Sequence, residues 1–179
     1  PASRGPVEEI VAKLLNAFNK QMPVHLNLGN VVGIDMLTIA VKADPDLKNF
    51  QLEVSIDFWL KLGSVITITI SRLGMTLNAI KLDNNGGILG YDLQPGIKWP
   101  TGAGIRVNAG VVTGGGFLYL DTDKGEYFGA LELSFKNLFD LKAVGILNTI
   151  MPDGSKGFSM LIIITAEFSP VQLGFGFTL

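Results

Sequence analysis

The stretch Q-L-E-V-S-I-D-F-W-L-K-L, from Gln51 to Leu62, alternates between polar and apolar residues at every position except Trp59. Successive side chains of a strand point to opposite faces, so this alternation predicts an amphipathic strand with one apolar and one water-facing side. The stretch spans roughly 40 Å at about 3.3 Å per residue, about twice the common strand length. On the polar side we expect solvated side chains, which are Gln51, Glu53, Ser55, Asp57 and Lys61.

The chain after Pro23 repeats this pattern between turn signals. Residues that favour turns separate the strand-like runs at Asp44-Pro45-Asp46, Asn84-Asn85-Gly86-Gly87, Asp123-Lys124-Gly125 and Pro152-Asp153-Gly154-Ser155. Short connections of this kind favour pairing between strands that are neighbours in the chain. The sequence therefore predicts a mainly β fold, an antiparallel meander of about ten long strands that form a barrel, groove or sandwich.

We predict a single β-rich domain over residues 1–179, with one amphipathic helix at its start. Pro6 suits a first helical position, and Pro23 ends the helical pattern. The apolar stripe expected to cap an end or face of the sheet comprises Val7, Ile10, Val11, Leu14, Ala17 and Phe18. The predicted order is a helix over 6–21, a first half-sheet over 24–83, an irregular junction over 88–104 and a second half-sheet over 105–179.

Three details of the strands carry further expectations. Met160 to Thr165 is apolar on both faces, which predicts the most central strand. Strands follow the glycines at 114–116, so these predict a turn or bulge rather than a phosphate site. Val171 to Leu179 alternates as one last strand, in which Gly174 and Gly176 leave a bare face for a close backbone. This apolar end predicts a portion of a longer protein, or a last strand that closes against the first.

The composition argues against several classes of protein. The net charge is −2, and the 14 Lys and Arg residues are spread along the chain, which argues against a nucleic-acid partner. The absence of cysteine excludes disulfides and thiolate metal sites. Charged residues make up 17% of the chain against a usual share of about 25%, and the mean hydropathy is +0.39. We therefore expect more covered surface than in an average soluble monomer.

Catalytic and metal-binding patterns are scarce. The single histidine, His25, is expected to be a solvated strand residue, and no serine, lysine or histidine motif accompanies it. Glu53 and Asp57 would lie about 13 Å apart on one strand, too far for a glycosidase pair. Asp121 and Asp123 are a weak calcium candidate, because the expected glycine of a calcium loop is misplaced. We predict no enzyme activity, no catalytic residues, no cofactor and no other metal site.

The second half of the sequence resembles a known family. The runs are G-V-V-T-G-G-G-F-L at 110–118, D-K-G-E-Y-F-G-A-L-E-L at 123–133, M-P-D-G-S-K-G-F-S-M-L-I-I-I-T-A-E-F at 151–168 and the closing Q-L-G-F-G-F-T-L. They resemble an uncharacterised bacterial domain family of unknown function, found in very large glycine- and β-rich proteins. The resemblance is close over residues 101–179 and loose before them. It implies architecture and a bacterial source, with the compartment left open, a secreted or cell-surface location included.

Three functions fit these patterns. The first is a structural or assembly module that packs through apolar sheet faces and strand edges against copies of itself or neighbouring domains of its polypeptide. The second is a carrier of lipid or another apolar ligand in a β-lined cavity. The ligand-lining residues of such a carrier would be Leu52, Val54, Ile56, Phe58, Ile66, Ile68 and Ile70. The third is a membrane-inserted β-barrel, which the low aromatic content of 9% disfavours. We favour the first.

Overall fold

The computed structural model describes residues 6–83, 86–168, 170, 172–174 and 177–178. In these residues one helix, α1 (Pro6–Asn16), precedes a series of strands. The strands are β1 (Asn19–Leu28), β2 (Val32–Ala43), β3 (Asn49–Leu62), β4 (Ile66–Lys81), β5 (Tyr91–Lys98), β6 (Gly102–Asn108), β7 (Val112–Asp121), β8 (Glu126–Phe135), β9 (Phe139–Ile150), β10 (Lys156–Phe168), β11 (Gln172–Gly174) and β12 (Phe177–Thr178).

The described strands form one large sheet and one small sheet. The large sheet has ten strands in the order β1-β2-β3-β4-β6-β7-β8-β9-β10, and β5 pairs with β4 beside this path. Successive strands from β6 to β10 pair antiparallel, each joined to the next by a short turn. The order does not return from β10 to β1 within the described residues. The mainly β, antiparallel meander that the sequence predicts is confirmed, as are the turns at 123–125 and 152–155.

The helix is shorter than predicted, and its buried side differs. It ends at Asn16, and Pro23 lies inside β1 instead of ending the helix. Because β1 begins the strand order, a proline there removes no hydrogen bond between inner strands. Ile10 and Leu14 of the predicted stripe are exposed, and the neighbouring Ala12 is buried. The side chain of Val7 lies outside the description.

Three predictions about the strands are wrong. The junction over 88–104 contains β5, whose Pro95 lies opposite Leu77 of β4. The run from Met160 to Thr165 belongs to β10, which ends the strand order and is exposed throughout, instead of being central. The last segment forms two short strands, β11 and β12, which pair with each other. Apolar alternation marks each segment as sheet-forming, and it does not specify the partner strand.

Further predictions concern the turn at 84–87, the last predicted strand and the glycines at 114–116. The turn residues Asn84 and Asn85, and the predicted strand positions Gly176 and Leu179, lie outside the described residues. The glycines at 114–116 lie within β7, whose register with β6 and β8 is unbroken, so the predicted turn or bulge is wrong. Gly114 has φ +143°, and a Cβ on it would collide with the Glu132 carbonyl oxygen. Here glycine serves the close approach of strands.

The chain forms two compact units. The first comprises Pro1–Asn27, Gly33–Phe58 and Ser71–Pro100, and the second comprises Leu28–Val32, Trp59–Ile70 and Thr101–Leu179. Among the described residues of the first unit, the buried side chains are small or polar. They are Ala12, Thr38, Ala40, Glu53, Ser55 and Ala79. The second unit contains β6 to β10 in one continuous antiparallel ladder, which sets the geometry of the site described next.

Candidate functional site

The register of β6 to β10 sorts their side chains onto two faces. Residues directly opposite each other on antiparallel strands share a face, and neighbours along a strand alternate. One row runs through Ala103, Leu118, Gly129, Gly145 and Ile162, and we call its side of the sheet the groove face. The adjacent row runs through Gly104, Phe117, Ala130, Val144 and Ile163 on the opposite side, which we call the back face.

The groove face holds an apolar groove of about 630 Å³. Large and small side chains alternate across its strands, so the small ones leave a hollow between the large ones. The floor is formed by Ala103, Gly116, Gly129, Ala143 and Gly145. The walls include Ile105, Leu118, Leu131, Leu147, Met160 and Ile162. Among the lining residues only Tyr127 carries a polar side-chain group, so the groove is suited to an apolar occupant of small-molecule size.

The back face carries a continuous patch of large apolar side chains, which we call the back patch. Its members lie in adjacent rows of β7 to β10, and they are Phe117, Tyr119, Phe128, Val144, Ile146, Leu161 and Ile163. Their exposed fractions run from 38% for Phe128 to 58% for Leu161. The rings of Phe117 and Phe128 contact each other with centroids 5.7 Å apart. Isolated exposed apolar residues are normal, but a contiguous patch marks an interaction surface.

Polar rows border the back patch at both ends. At one end, the side chain of Lys142 lies 3.8 Å from Glu132 and 3.7 Å from Glu167, and Ser134 donates a hydrogen bond to Asp140. At the other end, the row consists of Asp121, Glu126, Asn148 and Ser159. An apolar centre with a polar rim is the usual anatomy of a protein–protein interface.

The predicted ligand-lining residues are divided between the two units. Leu52, Val54, Ile56 and Phe58 belong to the first unit, and Ile66, Ile68 and Ile70 to the second. Of the seven, Ile68 lines the groove, and the other six lie outside its lining. The lining role of those six stays a prediction. The groove draws mainly on the second half of the chain, where small residues at 116, 129, 143 and 145 were the signal that sequence reasoning missed.

Two residues on the polar side of β3 are buried instead of solvated, whereas Lys61 is exposed as predicted. Glu53 is only 2% exposed, and Ser55 is also buried, whereas Val54 on the predicted dry side is 40% exposed. The Arg72 guanidinium donates a hydrogen bond to the Glu53 carboxylate at 2.7 Å, and the Ser55 hydroxyl donates to the same oxygen at 3.1 Å. Buried charges require such partners, because an unpaired buried carboxylate is strongly disfavoured.

The backbone of Arg72 reinforces this cluster. Arg72 has φ +58° within β4, and its N–H donates to the Asp57 carboxylate at 2.8 Å. Its side-chain Nε is buried without a hydrogen-bond partner in the described residues. Further along the same strands, the Gln51 amide donates to Asn78 at 2.6 Å. The predicted wetted row of β3 therefore serves as a hydrogen-bonded connection between β3 and β4.

The calcium candidates lie in the turn between β7 and β8. The Lys124 backbone N–H donates to Asp121 at 3.0 Å and holds the pKa of that carboxyl below its usual value, and the Lys124 ammonium lies 3.2 Å away. Glu132 lies opposite Gly115, well along β8 from this turn. The described residues contain no group of three or more acidic, His or Cys side chains placed to bind a metal ion. His25 is exposed on β1, as predicted.

Comparison with known proteins shows which family the chain belongs to. The model of DUF6603, a family of unknown function, matches residues 24–179. The chain belongs to this family. The resemblance of residues 101–179 to a family of unknown function is thus confirmed, and the DUF6603 match also covers the chain from Val24 in β1 through β5. No curated protein matches the chain, and no solved structure does either. In the described residues, no helix of this DUF6603 chain has the length and apolar character needed to cross a membrane.

Proposed function

We propose that this chain is a non-enzymatic structural module that assembles with copies of itself through the apolar sheet faces and strand edges of its second unit. The observation that carries the proposal is the back patch, with its apolar centre and polar borders. The groove face of the same strands is apolar too. A small ligand in the groove would cover part of one face, whereas protein packing can cover both.

Burial within the chain supports the same proposal. The buried apolar residues of the described chain are Ala12, Ala40 and Ala79, and all three belong to the first unit. Large aliphatic and aromatic residues are normally the ones found in a protein core. Burying one such large side chain completely contributes about 1.5–3 kcal/mol of favourable free energy relative to leaving it exposed. The partly exposed large side chains of the second unit therefore favour association.

The test is the solution mass of the native chain and of two matched variants. Val144→Lys places a charge in the centre of the back patch, and Val111→Lys makes the same change at an exposed residue between β6 and β7. We expect a native assembly at micromolar concentration that Val144→Lys weakens by about tenfold or more, because the interface would bury an unpaired ammonium. Light scattering across a concentration series measures this.

Val111→Lys should leave the assembly intact. A native chain that stays monomeric at every concentration contradicts the proposal. So does an assembly that both lysine variants affect equally. Circular dichroism of each variant confirms that the sheet is retained, which is expected because both valines are already partly exposed.

The groove favours a second candidate function, the binding of lipid or another apolar ligand. Its volume of about 630 Å³ lies within the range of small-molecule sites, roughly 300–1,000 Å³. Gly145 is the best position for filling it. A Cβ on Gly145 would meet Ile162 Cγ1 at 3.7 Å, an ordinary contact, so a larger side chain fits without displacing the backbone.

We expect Gly145→Val to weaken the binding of a fluorescent fatty acid by about tenfold, since the added branches occupy the groove floor. Ala166→Val is the control, because Ala166 lies on the same face of β10 and outside the groove lining. Fluorescence titration of both variants measures the affinity. Equal binding by the native chain and Gly145→Val would exclude the groove as the ligand site.

A further inference from the structure

The outer edge of β10 is long and apolar. β10 runs from Lys156 to Phe168, ends the strand order, and pairs with β9 alone in the described residues. Every one of its residues is exposed. Strand edges of this kind present unpaired backbone groups and readily accept a further strand, unless charges or proline protect them. Residues 157–166 contain neither a charged residue nor a proline.

The charges of β10 stand near its two ends with opposite signs. Lys156 is its first residue, and Glu167 is next to last. An antiparallel second copy brings the start of one β10 against the end of the other, so lysine meets glutamate twice. A parallel copy would place like charges side by side, which is destabilising. Charge complementarity therefore favours an antiparallel second copy.

An irregularity in β10 places both charges on the same face. Lys156 lies opposite Ile150, and Ser159 lies opposite Asn148, so β10 contains one extra residue between them. Ile150 and Asn148 are two apart on β9 and share a face, which Lys156 and Ser159 must share as well. Glu167 lies on this back face too, opposite Asp140.

We propose that a second copy of this chain pairs with β10 antiparallel, about a two-fold axis at Ile162. In this register Lys156 lies opposite Glu167 of the second copy. The extra residue between Lys156 and Ser159 shifts Lys156 by one position along the strand, which brings it to the place opposite Glu167. The register also opposes residues of like character, namely Ser159 with Thr165, Met160 with Ile164, and Leu161 with Ile163. A shift of two residues in either direction separates Lys156 from Glu167. The inference rests on the proposed assembly function and names a second copy as the partner at the strand edge, a contact separate from the packing of the back patch.

The pairing joins the two sheets edge to edge into one continuous sheet, with like faces on the same side. Away from the extra residue, opposed residues of β10 are both even-numbered or both odd-numbered, so they belong to the same face. The groove faces of both copies therefore lie on one side and the back patches on the other. Leu161 and Ile163 of the back patch then extend the patch of the second copy. Glu167, which already lies 3.7 Å from Lys142, gains a second cation from Lys156 of the second copy.

A cysteine cross-link tests the register. The chain has no cysteine, so an introduced one is unique. In Ile162→Cys the two cysteines would lie directly opposite each other, with Cα atoms about 4.5–5.5 Å apart. This lies within disulfide reach. In the control Met160→Cys, each thiol would oppose Ile164, and the thiols would be separated by about 13 Å along the strand. We expect a covalent dimer from Ile162→Cys and none from Met160→Cys.

A mixing experiment tests the charge pairing independently. In a dimer of Lys156→Glu, two glutamates face each other at each end. In a dimer of Glu167→Lys, two lysines do. Each variant alone should dimerise about tenfold more weakly than the native chain. A mixture of the two should dimerise more tightly than either variant alone, because every pair between the two copies is again lysine with glutamate. Analytical ultracentrifugation of each variant and of the equimolar mixture measures this, and a structural defect would not be repaired by mixing.

The outcomes separate this inference from the proposed function. If the native chain assembles and Val144→Lys disrupts it, but Ile162→Cys fails to cross-link and mixing restores nothing, assembly stands and the β10 contact is wrong. Cross-linking of both cysteine variants alike also overturns the register. If the native chain is a monomer throughout, both the assembly function and the β10 dimer are wrong.

Discussion

At the scale of single residues, the ion pair between Glu53 and Arg72 matters for stability, because the buried Glu53 carboxylate requires a charged partner. The Glu53 side chain is buried, and the Arg72 side chain is 27% exposed. Removing one partner of such a pair leaves an uncompensated charge, which costs more than the pair itself contributes. The alternation of residues 51–62 shows which residues share a side of the strand. It does not show which side is covered.

We expect Arg72→Met to lower the free energy of unfolding by about 3 kcal/mol, because the Glu53 carboxylate loses its charged partner. The double variant Glu53→Gln with Arg72→Met should recover part of this loss, since no buried charge remains. Arg106→Met, at an exposed arginine of β6, is the control and should change stability by less than about 0.5 kcal/mol. Urea denaturation measures all three. A double variant no more stable than Arg72→Met would show that the charge is not the cause.

At the scale of elements, β7 depends on the absence of a side chain at Gly114. The backbone there has φ +143° and lies close to the Glu132 carbonyl of β8. A strand with three consecutive glycines has low intrinsic preference for the extended state. Its pairing on both sides with β6 and β8 holds it in place. The cluster predicted as a turn is therefore a strand stabilised by its neighbours.

Gly114→Ala should destabilise the chain by roughly 2–4 kcal/mol, through steric overlap with β8 and an unfavourable φ. Gly145→Ala is the matched control in β9, where the Cβ has only ordinary contacts at 3.7 Å and beyond. It should be neutral or slightly stabilising, because alanine restricts the unfolded chain. Thermal denaturation followed by circular dichroism compares the two. Equal melting temperatures would contradict the assignment of Gly114 as a close-approach position.

At the scale of the whole molecule, the distribution of apolar residues matters more than their number. A charged share of only 17% predicted extensive coverage, and yet both faces of β7 to β10 expose large apolar side chains. The proposed assembly reconciles these observations, because copies packed on the sheet faces would supply the missing coverage. The β10 pairing joins two sheets at their edges and leaves their faces free for that packing. The mass of Val144→Lys tests whether copies pack on the back patch, and the covalent dimer of Ile162→Cys tests whether two copies pair along β10.

The amino-acid sequence by itself determined the local structure of this DUF6603 chain. Alternation between neighbours and the turn residues at 123–125 and 152–155 depend only on nearby positions, so the antiparallel meander could be predicted. Tertiary structure alone decided which side of β3 is buried and that β10 ends the sheet. It also assembled the groove floor from four strands. These features depend on which distant strands meet, and the side-chain pattern of a single strand is compatible with several partners.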